Sequence, residues 1–130
     1  MSDFINDAIA AAGVTLHRTL IQTDLYDCTL TSPNHTMQRK IAMKPDHDAP
    51  NLGGLLYHYA LIAQQLEEVD DVLEWADDNG HDLSDPKTLS NFQQMVADKD
   101  DLHRLLGDPA YRALMSGLAI SQAISNARPG

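Results

Sequence analysis

The stretch LGGLLYHYALIAQQLEEVDDVLEWA, residues 52–76, carries the clearest helical pattern in the chain. Apolar residues recur in it at steps of three and four, at Leu52, Leu55, Leu56, Tyr59, Ile62, Ala63, Leu66, Val69, Leu73 and Ala76. This spacing places them on one face of an α-helix. About 25 residues at about 1.5 Å each give a length of roughly 37 Å. We therefore expect one long helix that contacts both the earlier and the later parts of the fold.

The residues before this stretch predict a short helix and three strands. Ser2 is a suitable cap for a helix over Asp3–Ala12, and Gly13 would end it. From Val14 onward, apolar and polar residues alternate with the period of two that is typical of strands. The alternation covers Val14–Leu20, Leu25–Thr31 and His35–Met43. Three short consecutive strands predict an antiparallel β meander with one face covered.

Proline and glycine signals divide the remaining residues into a loop and helices. The prolines at positions 45 and 50 predict a loop over residues 45–51, and Asn79-Gly80 predicts the end of the long helix. Asp85-Pro86 and Asp108-Pro109 each pair an N-cap residue with proline at the first helical position. They predict helices that end near Gly107 and Asn126. The first of these should have a buried stripe at Leu89, Phe92, Val96, Leu102 and Leu106.

These elements together predict an α+β fold. A three-stranded antiparallel β meander should pack on a C-terminal bundle of about three helices, with the short helix at the N-terminus. The 130 residues fit a single domain, residues 1–130, that can bury a core without disulfides or metal. Residues 1–44 would hold the short helix and the meander, residues 45–51 the loop, and residues 52–126 the helical part.

Composition limits the compartment and the class of partner. Cys28 is the only cysteine, and the N-terminal residues are too acidic and too weakly apolar for a signal peptide. No window approaches the roughly 18 consecutive apolar residues of a membrane span. We therefore expect a cytoplasmic protein that does not bind membranes. The formal net charge of −10 also argues against direct binding to nucleic acid, so a partner recruited by charge should be basic.

The negative charge is concentrated in one region of the sequence. Residues 66–101 contain twelve acidic residues and only two lysines, which gives this window a net charge of −10. The rest of the chain has equal numbers of acidic and basic residues. The acidity is therefore a local feature of the protein.

Seven acidic residues form the candidate binding site. Glu67, Asp71, Glu74 and Asp78 follow four- and three-residue steps that would align them on the solvent side of the long helix. Three neighbours widen this stripe: Glu68, Asp70 and Asp77. A face that serves only solubility usually mixes charge signs, whereas an unmixed stripe can steer and bind a basic surface. A face that is merely solvated remains the alternative.

No residue pattern predicts catalysis or a cofactor. Cys28 could pair with His17 or His35 as a thiol and base, but it shares its strand face with Tyr26 and Leu30, which favours a buried, unreactive thiol. Two segments are weak candidates for a metal site, Asp46-His47-Asp48 and the calcium-loop-like stretch 77–82, and neither has the ligand spacing of a known site. We expect His58 to be structural. The chain also has no phosphate loop or nucleophile motif, so we expect no enzyme activity, no cofactor and no bound metal.

A stripe of small residues lies on the last predicted helix. Ala113, Gly117 and Ser121 are spaced by four residues, so their side chains lie on one face. Such a stripe lets another helix approach closely. The neighbour can belong to the same chain or to a second copy in a homodimer.

Several segments give the chain a family resemblance. These are Val72-Leu73-Glu74-Trp75-Ala76, the turn GHDLS at residues 80–84, and LHRLLGDPAY at residues 102–111. Over roughly residues 20 to 114, the chain resembles small acidic accessory proteins of bacteriophages and other mobile elements. Its extra N-terminal helix and long final helix depart from their pattern. As a class, such proteins are often anti-CRISPR or anti-restriction inhibitors that mimic DNA.

The resemblance and the regional charge together lead to one functional hypothesis. It is a non-enzymatic inhibitor that binds the basic surface of a nucleic-acid-binding defence protein in the cytoplasm of a bacterial host. The seven acidic residues of the stripe would make the contact. The alternative is a structural or assembly module that oligomerises, with an acidic face that serves only solubility.

Overall fold

A computed structural model describes residues 3–42, 50–67 and 69–127 of the chain. The elements in order are α1 Asp3–Ala12, β1 Thr15–Gln22, β2 Leu25–Thr31, β3 Thr36–Ala42, α2 Leu52–Leu66, α3 Val72–Asp78, α4 Pro86–Leu106 and α5 Asp108–Ala127. The α+β class, the N-terminal helix and the C-terminal helical bundle are confirmed. Most of the predicted loop, residues 45–51, lies outside the described residues, as do Met43 and Glu68.

The three strands form the predicted antiparallel meander, in the order β1-β2-β3. The register places Leu16, Leu30 and Met37 side by side across the sheet, and Cys28 opposite Arg39. Leu30, Met37 and Cys28 are buried. In β2 and β3 the alternation read from the sequence therefore assigns the correct residues to the covered face, because neighbouring side chains of a strand point to opposite sides of the sheet. In β1 it does not hold throughout, since Leu20 is 54% exposed.

Helices supply the other side of the core. Their largest fully buried side chains are Leu56 from α2, Leu102 and Leu105 from α4, and Leu114 and Leu118 from α5. Tyr59 of α2 is also buried, and burial raises its pKa to about 12, with the charge of Asp98 adding to the effect. The helix start predicted at Asp85-Pro86 is confirmed, because the Asp85 side chain accepts a hydrogen bond from the Lys87 amide.

The single long helix expected over residues 52–76 is wrong. Helix α2 ends at Leu66 and α3 begins only at Val72, so within the described residues four helices rather than about three follow the meander. Asp71 has an extended backbone, and its carboxylate accepts hydrogen bonds from the amides of Leu73 and Glu74. An aspartate bound to nearby amides favours the start of a helix over its interior. The closely spaced acids here also repel one another within a continuous helix.

A partly buried cluster of charged and polar side chains ties the sheet to α4. Arg39 of β3 donates from Nε to Asp98 Oδ1 at 2.8 Å and from Nη2 to Asp101 Oδ2 at 2.6 Å. His35 Nε2 lies 3.0 Å from the other Asp101 oxygen, and Gln94 donates to Asp98 at 2.9 Å. Asp98 is only 6% exposed. A carboxylate this deeply buried needs such partners, because its desolvation is otherwise costly.

Helix α1 occupies part of the small-residue stripe on α5. A Cβ atom added at Gly117 would lie 2.5 Å from Phe4 Cβ and 2.6 Å from Phe4 Cγ. Glycine therefore allows the close approach of α1 within the chain. Ala113 and Ser121, the other two members of the stripe, are exposed. At Gly117, its central residue, the stripe therefore packs against α1 of the same chain.

Acidification should weaken the folded state through Asp101. Burial by itself raises the pKa of this carboxyl, but hydrogen bonds from Arg39 and His35 hold the pKa below its usual range. The stabilisation is therefore present above about pH 4 and lost as the pH falls through the lower folded-state pKa. We expect the free energy of unfolding, from denaturant titrations between about pH 5 and 2, to fall less steeply for Asp101→Asn. Equal slopes would contradict this.

The variant Gly117→Ala should destabilise the protein. In an ordinary helix interior this change stabilises by up to about 1 kcal/mol, but here the new methyl group would overlap Phe4. We expect a loss of about 1–3 kcal/mol, measured by chemical denaturation. Ser121→Ala, one helical turn further on and exposed, is the matched control and should change stability by less than about 0.5 kcal/mol. A Gly117→Ala protein as stable as the native one would disprove the contact.

Candidate functional site

The predicted acidic residues lie around the bend between α2 and α3. Glu67 follows the last residue of α2, Asp70 and Asp71 lie in the link, and Glu74, Asp77 and Asp78 lie on α3. These six are exposed, and Glu68 lies outside the described residues. The predicted alignment along one straight helix is wrong, because the helix is interrupted. The structure nevertheless brings four of the six, Asp70, Asp71, Glu74 and Asp78, together around one groove, whereas Glu67 and Asp77 do not line it.

Glu67 has a structural role in addition to its charge. Its Oε1 accepts a hydrogen bond from the Tyr111 hydroxyl at 2.5 Å and lies 3.8 Å from Lys99 Nζ. Burial raises the pKa of Tyr111, and the hydrogen bond to Glu67 raises it further. Glu67 thus joins the end of α2 to α4 and α5. This role was not predicted from the sequence, since 44 residues separate Glu67 from Tyr111.

Asp71 also has a structural role, as the N-cap of α3 described above. The remaining members, Asp70, Glu74, Asp77 and Asp78, form no salt bridge within the part of the chain that the structure describes. Their charges are therefore not neutralised by neighbours. The site divides into two acids that hold the local fold and four whose carboxylates face solvent.

An open groove runs beside these carboxylates. Its lining residues are Gln65, Val69, Asp70, Asp71, Glu74, Trp75 and Asp78. A second open groove lies on the other side of Asp70 and Asp71, and it is lined further by Val72, Leu73, Gln93 and Val96. Val96 was expected to be buried but is 43% exposed. The two acids of the link therefore form a ridge between two partly apolar grooves.

Trp75 is the principal residue that sequence reasoning missed. This single tryptophan is 43% exposed. Its ring stacks on His81 at a centroid distance of 5.9 Å, and the Phe92 ring packs against it edge-on at a centroid distance of 6.5 Å. One signal was present in the sequence, because Trp75 precedes Ala76 of the apolar stripe by one residue and so lies off the buried face. This spacing indicates that Trp75 is exposed within the acidic segment.

The surroundings of Cys28 disfavour a reactive thiol. The side chain is buried, and burial raises its pKa, as does the nearby Asp27, while Arg18 opposes the shift. The register places His17 on the opposite face of the sheet from Cys28. His35 is bound to Asp101 instead. The predicted unreactive cysteine is thus supported, because thiolate formation requires an exposed, electropositive setting.

The described residues contain no group of three or more His, Cys, Asp or Glu side chains that could hold a metal ion. The candidate at residues 46–48 lies outside the described residues. In the calcium-loop-like stretch, Asp82 accepts hydrogen bonds from the amide and the hydroxyl of Ser84. These bonds lower the pKa of Asp82. Its carboxylate therefore stabilises a turn.

His58, on α2, is exposed, and its ring lies at an angle to the ring of Tyr59.

Comparisons with known proteins give no relative for this chain. No family model matches it, and no match was found among curated proteins or among solved structures. Within the described ranges, every helix is too short or too polar to span a lipid bilayer.

Substitutions should separate the structural acids from the others. We expect Glu67→Ala to lower the free energy of unfolding by about 1 kcal/mol, since it removes the partner of the Tyr111 hydroxyl. Asp77→Ala, which removes an exposed acid without a salt bridge, is the control and should change stability by less than about 0.5 kcal/mol. Chemical denaturation at pH 7 measures both values. Equal losses would show that the hydrogen bond to Glu67 does not contribute to stability.

Proposed function

We propose that this protein is a non-enzymatic binding protein that docks onto a basic surface of a nucleic-acid-binding protein. The observation that supports this most directly is the group of four exposed carboxylates at Asp70, Glu74, Asp77 and Asp78 without salt bridges among the described residues. Like charges close together cost stability. A basic partner would offset that cost on binding.

The concentration of negative charge favours a partner with a basic surface, such as one that binds the phosphate groups of nucleic acid. Twelve acids lie between residues 66 and 101, and among them Asp70, Glu74, Asp77 and Asp78 form no salt bridge among the described residues. A concentration of such charges accelerates association with a surface of opposite charge. Lys and Arg surfaces that bind nucleic acid have that charge. The protein would then compete with nucleic acid for the same surface.

The class of partner follows from the resemblance to accessory proteins of phages and mobile elements. That class of accessory proteins includes anti-CRISPR and anti-restriction inhibitors that mimic DNA. We propose that the present chain is an inhibitor of this kind, and that it acts on a defence complex in the bacterial cytoplasm. The partner surface would face Asp70, Glu74, Asp77 and Asp78. Glu67, Glu68 and Asp71, their neighbours in the sequence, complete the predicted set.

A second candidate function is an assembly module that oligomerises. Ile120 and Ile124 are exposed on one side of α5, and an exposed apolar pair favours protein contact. Sedimentation at rising salt concentration distinguishes the two functions. A dimer that is insensitive to salt supports the assembly module, and a monomer supports the inhibitor.

Reversing charges in the groove should abolish partner binding. We expect the double variant Glu74→Lys/Asp78→Lys to lose host proteins that the native chain captures from a bacterial lysate at about 50 mM salt. DNA should compete for the same proteins, and about 500 mM salt should release them. The matched control is Asp7→Lys/Asp24→Lys, which makes the same charge change at exposed acids of α1 and the β1–β2 turn. Capture that survives both the Glu74/Asp78 reversal and high salt would rule out binding through charge.

A further inference from the structure

Trp75 is an exposed aromatic side chain in a chain that has few aromatic residues. Only 5% of the residues are Phe, Trp or Tyr, and this single Trp is 43% exposed. Exposed tryptophans are enriched among the residues that carry most of the energy of protein interfaces. A face that is acidic only for solubility does not require one.

The Trp75 ring is held in position before any partner arrives. His81 stacks on it with an angle of 28° between the ring planes. Phe92 of α4 contacts both rings at their edges, with centroid distances of 6.5 Å to Trp75 and 4.9 Å to His81. The exposed part of the ring is therefore a preorganised surface, so binding costs little conformational entropy.

The groove beside this ring combines an aromatic surface with carboxylates. Asp70, Asp71, Glu74 and Asp78 line it together with Trp75. A guanidinium group suits such a lining because it is planar, stacks on aromatic rings and donates paired hydrogen bonds to carboxylates. An ammonium group is compact and more strongly hydrated, so it stacks less well.

Apolar surface also lies on the far side of the ridge formed by Asp70 and Asp71. A face that serves only solubility would not be expected to expose it. Val96 of α4 is 43% exposed and lines the second groove together with Leu73. The ridge of Asp70 and Asp71 is thus flanked by an exposed Trp and an exposed Val. A polar rim around partly apolar grooves is typical of a protein interface.

We propose that the groove beside Trp75 binds an arginine side chain of the protein partner. The guanidinium lies on the exposed surface of the Trp75 ring and pairs with the carboxylates of Glu74 and Asp78. Charge complementarity identifies this occupant, because the groove has four carboxylates and no basic residue in its lining. The inference rests on the proposed function and specifies the residue of the partner that anchors the complex.

The intrinsic fluorescence of the protein tests this directly, because Trp75 is its one tryptophan. The probes are hexa-arginine, hexa-lysine and hexa-citrulline, each with blocked ends. Citrulline keeps the shape of arginine but carries no charge. We expect hexa-arginine to change the Trp75 emission saturably and to bind more tightly than hexa-lysine, and hexa-citrulline to have no effect. Calorimetry supplies affinities for variants that lack the fluorophore.

Three variants separate stacking from charge. Trp75→Leu should weaken hexa-arginine binding about tenfold and remove the preference for arginine over lysine, whereas Trp75→Phe should keep part of that preference. Circular dichroism and thermal unfolding establish that both variants are folded. Glu74→Gln/Asp78→Asn should weaken both cationic peptides more than the control Asp7→Asn/Asp24→Asn does.

The outcomes distinguish this proposal from the proposed function. If Trp75→Leu binds both cationic peptides as the native chain does, the arginine site is wrong, although sensitivity to the Glu74/Asp78 variant would still support binding through charge. If the Glu74/Asp78 variant and its control behave alike, the groove has no special role and both proposals fail. Loss of arginine preference in Trp75→Leu, together with sensitivity to the Glu74/Asp78 variant, supports both.

Discussion

The interaction of Arg39 with Asp98 and Asp101 is the constraint on which the arrangement of this fold depends. Apolar contacts between the sheet and α4 are not directional and would tolerate small shifts. Arg39 is different, because it must meet two carboxylates on α4 at 2.8 and 2.6 Å. Burial would lower the pKa of Arg39, but the hydrogen bonds to both aspartates raise it. Arg39 therefore stays charged and determines where α4 lies against β3.

The acidic surface depends on the same helix. Lys99, next to Asp98 on α4, lies near Glu67 at the end of α2. Phe92, nearer the start of α4, contacts the rings of Trp75 and His81. The helix that the ion pairs fix against the sheet therefore also supports the bend between α2 and α3. An ordered core thus presents the carboxylates and the tryptophan on a defined surface.

Most elements of the fold could be predicted because their signals are local. The period of two assigns Leu30, Met37 and Arg39 to the covered face of the sheet, and an aspartate followed by proline marks the start of α4. The error at residues 67–71 has a physical cause as well. Apolar spacing continues through Val69, so the pattern predicts one helix, but the Asp71 side chain binds the amides of Leu73 and Glu74 and begins a new one. Periodicity records which residues face the core, and does not record this competition.

The sequence by itself determined the strand alternation, the start of α4 at Asp85-Pro86, the buried cysteine and the concentration of acid between residues 66 and 101. Each of these depends on residue types and short spacings. Only the tertiary structure decided which acids have partners and which residues surround them. Glu67 meets Tyr111 and Lys99, whereas Glu74 and Asp78 lie in a groove beside a half-exposed Trp75. The physical reason is distance along the chain. Tyr111 and Lys99 lie dozens of positions from Glu67 and meet it only after the helices pack. The groove residues are close in sequence, but the bend capped by Asp71 and the contact of Phe92 with Trp75 arrange them.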